Sequence, residues 1–170
     1  LQEFGLASPR LIAVHATTLD DDEIALLATN GVSVVHCPES NLKLASGFCP
    51  LARLLDAGVN VALGTDSAAS NNDLDMFGEM RTAALLAKGV AGDASAAPAA
   101  AIVAVDLGGF AAAPSYDPVS HIVYASHRDQ VSNVWVGGRR VVADRKLVNV
   151  DTKSLTQTAQ QWRDRIRATD

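Results

Sequence analysis

Residues 11–14, 32–35 and 59–63 are short apolar runs rich in Val, Ile, Leu and Ala, and helical patterns separate them. Runs of this length without polar alternation read as strands buried on both faces. Strands that alternate with helices pair in parallel, because a crossover helix carries the chain back to the same end of the sheet. No other feature restricts the possible folds as much. The runs lead into His15, His36 and Asp66. Parallel strands with helical crossovers gather their C-terminal ends on one side, so these three residues are expected at one mouth.

The segments between the runs behave as connecting helices should. Residues 20–29 open with Asp20, Asp21, Asp22 and Glu23 and close on Asn30-Gly31, an acidic N-terminus followed by a left-handed exit. Residues 38–47 are expected to form a polar loop, and residues 49–57 a helix ended by Gly58. Residues 73–88 place Met76, Phe77, Met80, Ala83, Ala84 and Ala87 on one apolar stripe. Between the third run and that helix lies Gly64-Thr65-Asp66-Ser67-Ala68-Ala69-Ser70-Asn71-Asn72. Its Asp66 either caps the next helix or presents a carboxylate that binds a metal or moves a proton.

The texture changes after Lys88. Residues 89–101 are rich in Ala and Gly, the apolar run 102–105 follows, and residues 117–125 suit a short helix. Residues 131–136 and 139–143 flank Gly137-Gly138, the pattern of a tight hairpin. Residues 152–168 close the chain as an amphipathic helix with Leu155, Ala159, Trp162 and Ile166 on one face. Residues 1–6 read as the last turn of a preceding helix, a cut end rather than a natural start. The expected division is a parallel strand–helix portion at 1–100, a small mixed β portion at 101–150 and a terminal helix at 151–170.

The formal net charge of −5 argues against nucleic acid or an anionic membrane as the main partner. No run approaches 18 apolar residues, so the expectation is a soluble, cytoplasmic protein. Cys37 and Cys49 lie at no metal-binding spacing and read as buried thiols. His121 and His127, before the hairpin, read as surface histidines. Glu79 and Arg81 read as surface or packing residues.

Histidine and carboxylate at strand ends suit a hydrolytic zinc or iron site, because a divalent ion brings the pKa of water towards neutrality. Three stretches carry a resemblance: 11–15 (LIAVH), 35–44 (VHCPESNLKL) and 63–72 (LGTDSAASNN). They resemble strands six, seven and eight of the amidohydrolase superfamily, in the branch of 5-methylthioadenosine/S-adenosylhomocysteine deaminases and related chlorohydrolases. Residues 116–119 and 134–138 resemble strands of that family's small β-sandwich.

The resemblance implies an α/β chain: the C-terminal part of a (β/α)8 barrel plus part of a β-sandwich and a terminal helix. It implies a deaminase that hydrolyses C–N bonds of an adenosine-type nucleoside, using water activated by one divalent metal, zinc or else iron. Asp66 would be metal ligand, proton carrier and substrate contact. His15 would face the reacting water or substrate, and His36, Ser40 and Asn41 would line or scaffold the pocket. The implied partners are a small-molecule substrate, the N-terminal part of the barrel and further copies of the chain.

Two departures qualify this. The family's His-x-His pair and strand-five histidine have no counterpart among His15, His36, His121 and His127. A family passage expected near Ala97 to Ala101 is also missing. The competing readings are a chlorohydrolase or other heterocycle aminohydrolase, and an inactive barrel portion that needs a second segment.

Overall fold

The computed structural model describes residues 2–97, 117–136 and 139–168, which fall into two compact units, 1–128 and 129–170. In the first unit β1 (Ile12–Val14), β2 (Ser33–His36) and β3 (Asn60–Leu63) form a parallel sheet in the order β1-β2-β3. The register aligns Val14 with Val35 and Val35 with Ala62, while one position earlier Ala13, Val34 and Val61 form the adjacent row.

Side chains alternate across a strand, so these rows face opposite sides. The Ala13–Val34–Val61 side is covered by helices. There Val34 and Val32 pack with Ile24 and Leu27 of α1 (Asp21–Thr29) and Leu54 of α3 (Leu51–Asp56). On the other side Ile12 and Val14 are exposed. The expectation of burial on both faces therefore holds for one face only in this chain.

Local sequence explains the helix ends. Asp20 accepts the Glu23 N–H while Glu23 accepts the Asp20 N–H, closing a capping box on α1. The long helix α4 (Met76–Ala91) starts at Asp75, whose side chain caps Phe77, and ends at Gly92 with φ of 64°. That left-handed conformation costs an L-residue with a Cβ about 1–2 kcal/mol, which glycine avoids. Phe77, Met80, Ala83, Ala84 and Ala87 of the expected stripe are buried, and Met76 is exposed. Ala83 and Ala87 meet Leu51 and, beside them, Leu63.

The structure corrects several local expectations. Residues 38–47 are not all loop: Pro38–Lys43 form a short helix, α2. Pro38 at the first position, Glu39 in the first turn and Lys43 in the last turn are all favourable there. Residues 2–5 make a turn closed by Gly5 N–H on the Gln2 carbonyl, rather than the end of a helix. The expected strand at 102–105 lies outside the described residues.

Helix α5 (Pro118–Ala125) belongs to the first unit, where Arg81 of α4 donates to the Ser126 carbonyl at its end. His121 on α5 is half-buried with Nε2 buried, contrary to a surface reading, whereas His127 is exposed. In the second unit β4 (Val134–Val136), β5 (Arg139–Ala143) and β6 (Lys146–Leu147) form an antiparallel sheet, followed by α6 (Thr152–Arg167). The compact units divide at 128/129. The expected apolar face of α6 is present but open, with Leu155, Trp162 and Ile166 exposed. No helix among the described residues is long and apolar enough to cross a membrane.

Candidate active site

The C-terminal ends of β1 and β3 change conformation abruptly. His15 and Asp66 have φ of 71° and 61°, in the left-handed region that residues with a Cβ seldom occupy. Backbone strain of this kind persists only where surrounding bonds enforce it, and it concentrates at functional sites. Here the enforcing bonds are visible. His15 N–H donates to the Val35 carbonyl at 2.9 Å, and Gly64 N–H donates to the His36 carbonyl at 3.0 Å.

These turns bring the His15 ring and the Asp66 carboxylate together, with Nε2 3.8 Å from Oδ2. The Ser40 and Ser70 hydroxyls donate to Oδ2 at 2.7 and 2.9 Å, and the Ser67 N–H donates to Oδ1 at 2.8 Å. These donors, with the Ser40 hydroxyl foremost, hold the Asp66 carboxyl below the usual carboxylate range. Three of its roughly four acceptor positions are occupied, which leaves one, on Oδ1. An ionised, oriented carboxylate with one free lone pair can ligate a cation or take a proton.

His15 is oriented by Asn41, whose Oδ1 lies 2.8 Å from Nδ1. With the amide oxygen at that contact, Nδ1 donates and the lone pair of the neutral ring is on Nε2, towards Asp66. The remaining half of the Asn41 amide, Nδ2, is buried without a hydrogen-bond partner.

Helix α2 organises this arrangement. Ser40 reaches Asp66 and Asn41 reaches His15, while Lys43 Nζ donates to the Ala69 carbonyl at 3.1 Å and to Asn72 Oδ1 at 2.5 Å. Lys43, Ser70 and Asn71 were not singled out from the sequence. No sequence signal marked them, because a six-residue helix shows no repeat and Ser70 and Asn71 lie in a loop.

His36 is placed differently. It shares the parity of Val34 and pairs with Leu63, so its ring lies on the helix-covered side of the sheet. It is 1% exposed, and burial, aided by the nearby His15, pushes its pKa down to about 4. A neutral buried imidazole supports the layer beneath the site. The His15–Asp66–Asn41 group forms without it.

Ser40→Ala tests the electrostatic part. The Asp66 pKa is depressed, so its ionised form stabilises the fold above the ordinary 3.8 and that contribution fades as pH falls. Loss of the Ser40 hydroxyl is expected to move the Asp66 titration up towards 3.8, read from the carboxyl carbon-13 shift against pH.

Carboxylate oxygen and imidazole nitrogen converging within 4 Å are donors suited to zinc. Among the described residues no cluster of three or more His, Cys, Asp and Glu could hold a metal ion. The donor set therefore fits zinc in kind and supplies part of a coordination shell.

The carboxylate–histidine pair thus lies at the C-terminal ends of parallel strands, with left-handed backbone at both residues. The model of the amidohydrolase family matches residues 1–141, and the chain belongs to that family. The chain is 43% identical to a 5-methylthioadenosine/S-adenosylhomocysteine deaminase of Teredinibacter turnerae, an alignment covering 99% of this chain and 45% of that protein. The enzyme of the same name from Saccharophagus degradans is 41% identical, with 99% and 44% covered.

Among solved structures, an adenosine deaminase from Xanthomonas campestris with bound zinc superimposes with a TM-score of 0.92 at 47% identity, covering 98% of this chain and 45% of that one. A zinc complex of atrazine chlorohydrolase from Arthrobacter aurescens gives 0.83 at 24% identity, covering 95% and 42%, and shows the fold alone. The chain thus spans under half the length of the relatives it matches. It has the fold of part of the barrel, and its second unit is a small antiparallel sheet with a helix. The first alignment extends over 197 positions against 170 residues here, so the relative carries residues that this chain lacks.

Proposed function

We propose that the protein, at its natural length, is a zinc-dependent aminohydrolase acting on an adenosine-type nucleoside such as 5-methylthioadenosine or S-adenosylhomocysteine. The observation that carries this is the Asp66 carboxylate, fixed by two hydroxyls and turned towards His15 Nε2. The names of the relatives supply the substrate class.

In this reading Asp66 holds the metal from one side, and further ligands come from residues beyond those described. Bound zinc would supply a water whose pKa is lowered towards neutrality. With Oδ1, the position its donors leave open, turned to the metal, Asp66 Oδ2 would accept the proton released as the water oxygen bonds to the purine C6, exchanging one of its serine hydroxyl bonds for it. It then returns that proton to the exocyclic amino nitrogen as the C–N bond breaks and ammonia leaves. His15 Nε2 accepts a hydrogen bond from the reacting water or substrate and so orients it. Ser40 and Ser70 prevent the carboxylate from rotating away.

The open sheet face bearing Ile12 and Val14 supports the proposal that the rest of the barrel closes over it. The same reading makes the protein a cytoplasmic homo-oligomer, checked by sedimentation velocity and cell fractionation.

The test is deamination by the natural-length protein, followed by the absorbance change at the purine ring and by ammonia release, with zinc measured by elemental analysis. Turnover of 5-methylthioadenosine, abolished by chelation and restored by zinc, is expected. Turnover of an aminated or chlorinated triazine instead would replace the nucleoside assignment. Absence of both activities in zinc-loaded protein would leave a barrel portion without catalysis.

A further inference from the structure

Behind Asp66 lies a second carboxylate system that the mechanism does not use. Glu79 of α4 is fully buried, and its two oxygens accept from two different segments. Oε2 takes the Glu39 N–H at the start of α2 at 3.2 Å, and Oε1 takes Asn71 Nδ2 at 2.5 Å. The same Asn71 nitrogen lies 3.3 Å from Glu39 Oε2. A primary amide has two N–H bonds, so one side chain bridges both carboxylates. Thr82 donates to Glu39 Oε1 at 3.0 Å, and a Cβ at Gly78 would stand 2.9 Å from that oxygen. Absence of a side chain at Gly78 is what lets Glu39 lie against α4.

We propose that Glu79 is a positioning residue of the Asp66 site, pinning both α2 and the Asp66 loop to α4 through the Glu39 backbone and the Asn71 amide. The consequences follow the chain. Helix α2 delivers Ser40 to Asp66 and Asn41 to His15, and the loop that Asn71 anchors delivers Ser70. Asn71 Oδ1 in turn accepts the Leu74 N–H at 3.1 Å, which holds the loop's exit. Release of this pin would leave every donor to Asp66 chemically intact and misplaced. That distinguishes a positioning residue from a catalytic one.

The charges around Glu79 make the pin sensitive to protons. Glu39 faces it from α2 and Cys37 lies just before that helix, while Asp73, ion-paired with Arg128, faces it from the loop. No Lys or Arg pairs with Glu79 among the described residues. Burial, followed by the charge of Glu39, pushes its pKa up to about 7 from an ordinary 4.5. The protonated form is therefore the one that folding favours. Its contribution to stability is complete below about pH 4.5 and is lost as pH rises through 7.

For its catalytic consequence the proposal rests on the aminohydrolase reading; its geometry does not. The test compares Glu79→Gln and Glu79→Ala with the wild type, all at natural length. The measurements are the zinc dissociation constant by chelator competition and the melting temperature between pH 4.5 and 8. Glu79→Ala is expected to weaken zinc binding by about 10–100-fold, the usual effect of removing a group that orients a ligand. Glu79→Gln keeps the volume and one acceptor oxygen, so it retains one of the two pins: zinc binding should weaken less than in Glu79→Ala, and the fall in melting temperature up to pH 7 should flatten.

If Glu79→Ala does not fold, Glu79→Gln decides alone. A wild-type pH slope in Glu79→Gln, or wild-type zinc affinity in Glu79→Ala, overturns the proposal. Failure of deamination in the wild type would defeat the aminohydrolase reading, while zinc affinity and pH slope still decide on Glu79.

Discussion

Asp66→Asn in the natural-length protein is expected to lower kcat/KM for 5-methylthioadenosine by about 10²–10⁴-fold, the range typical of losing a positioned proton-transfer group. The substitution preserves side-chain volume, so the loss would be chemical. Asp66 accepts hydrogens from Ser40, Ser70 and the Ser67 backbone. An amide in its place has one oxygen instead of two, carries no charge, and turns an N–H towards one of those donors. The same variant should retain less zinc than the wild type after dialysis, measured by elemental analysis. Unchanged zinc together with kcat/KM within threefold of the wild type would remove Asp66 from the centre of the mechanism.

Leu54→Ala should have the largest effect on stability, about 2–5 kcal/mol. Leu54 of α3 is 0% exposed and packs in the cluster of Ile24, Leu27, Val32 and Val34 that joins the helices to the sheet. Shortening it removes dispersion contacts and leaves a cavity that α1, α3 and β2 cannot all move to fill. Leu85→Ala, on the exposed face of α4, is the control and should stay within about 0.5 kcal/mol. Urea unfolding with an unchanged slope measures both. Equal midpoints for the two variants would contradict the assignment of the core.

The two predictions test connected parts of one arrangement. The Leu54 cluster holds β2 against its helices, and the main-chain bonds from β2 to His15 and Gly64 fix the turns that lead to the site. A loosened core is therefore expected to reach the His15–Asp66 pair through the sheet. The site lies at strand ends, where bond patterns stop, and depends on α2 to complete them.

Much of this was written locally. The three apolar runs, the acidic start of α1, the Asp75 cap and the stripe on α4 determine strands and helices through nearest-neighbour physics. Spacing sets which face is apolar, and side-chain oxygens satisfy the first amides. Strand-helix alternation then sets the parallel order, and with it the placing of His15 and Asp66 at one mouth. The family was legible only as a resemblance in residues 11–15, 35–44 and 63–72, and the family match over 1–141 bears it out.

What the tertiary structure alone decided concerns pairs distant in sequence. Ser40 and Asp66, like Asn41 and His15, are 26 residues apart, and Glu79 meets the Glu39 backbone across 40. No periodicity encodes such distances, because they depend on how far each helix sits from the sheet. Residues 38–43 read as polar loop because their helix is too short to show a repeat, yet that turn carries the Ser40 donor and the Asn41 acceptor that orient the site. His36 stood in sequence like its two companions. Parity within β2 turned its ring to the helix layer, whereas left-handed turns after β1 and β3 released His15 and Asp66 from that alternation.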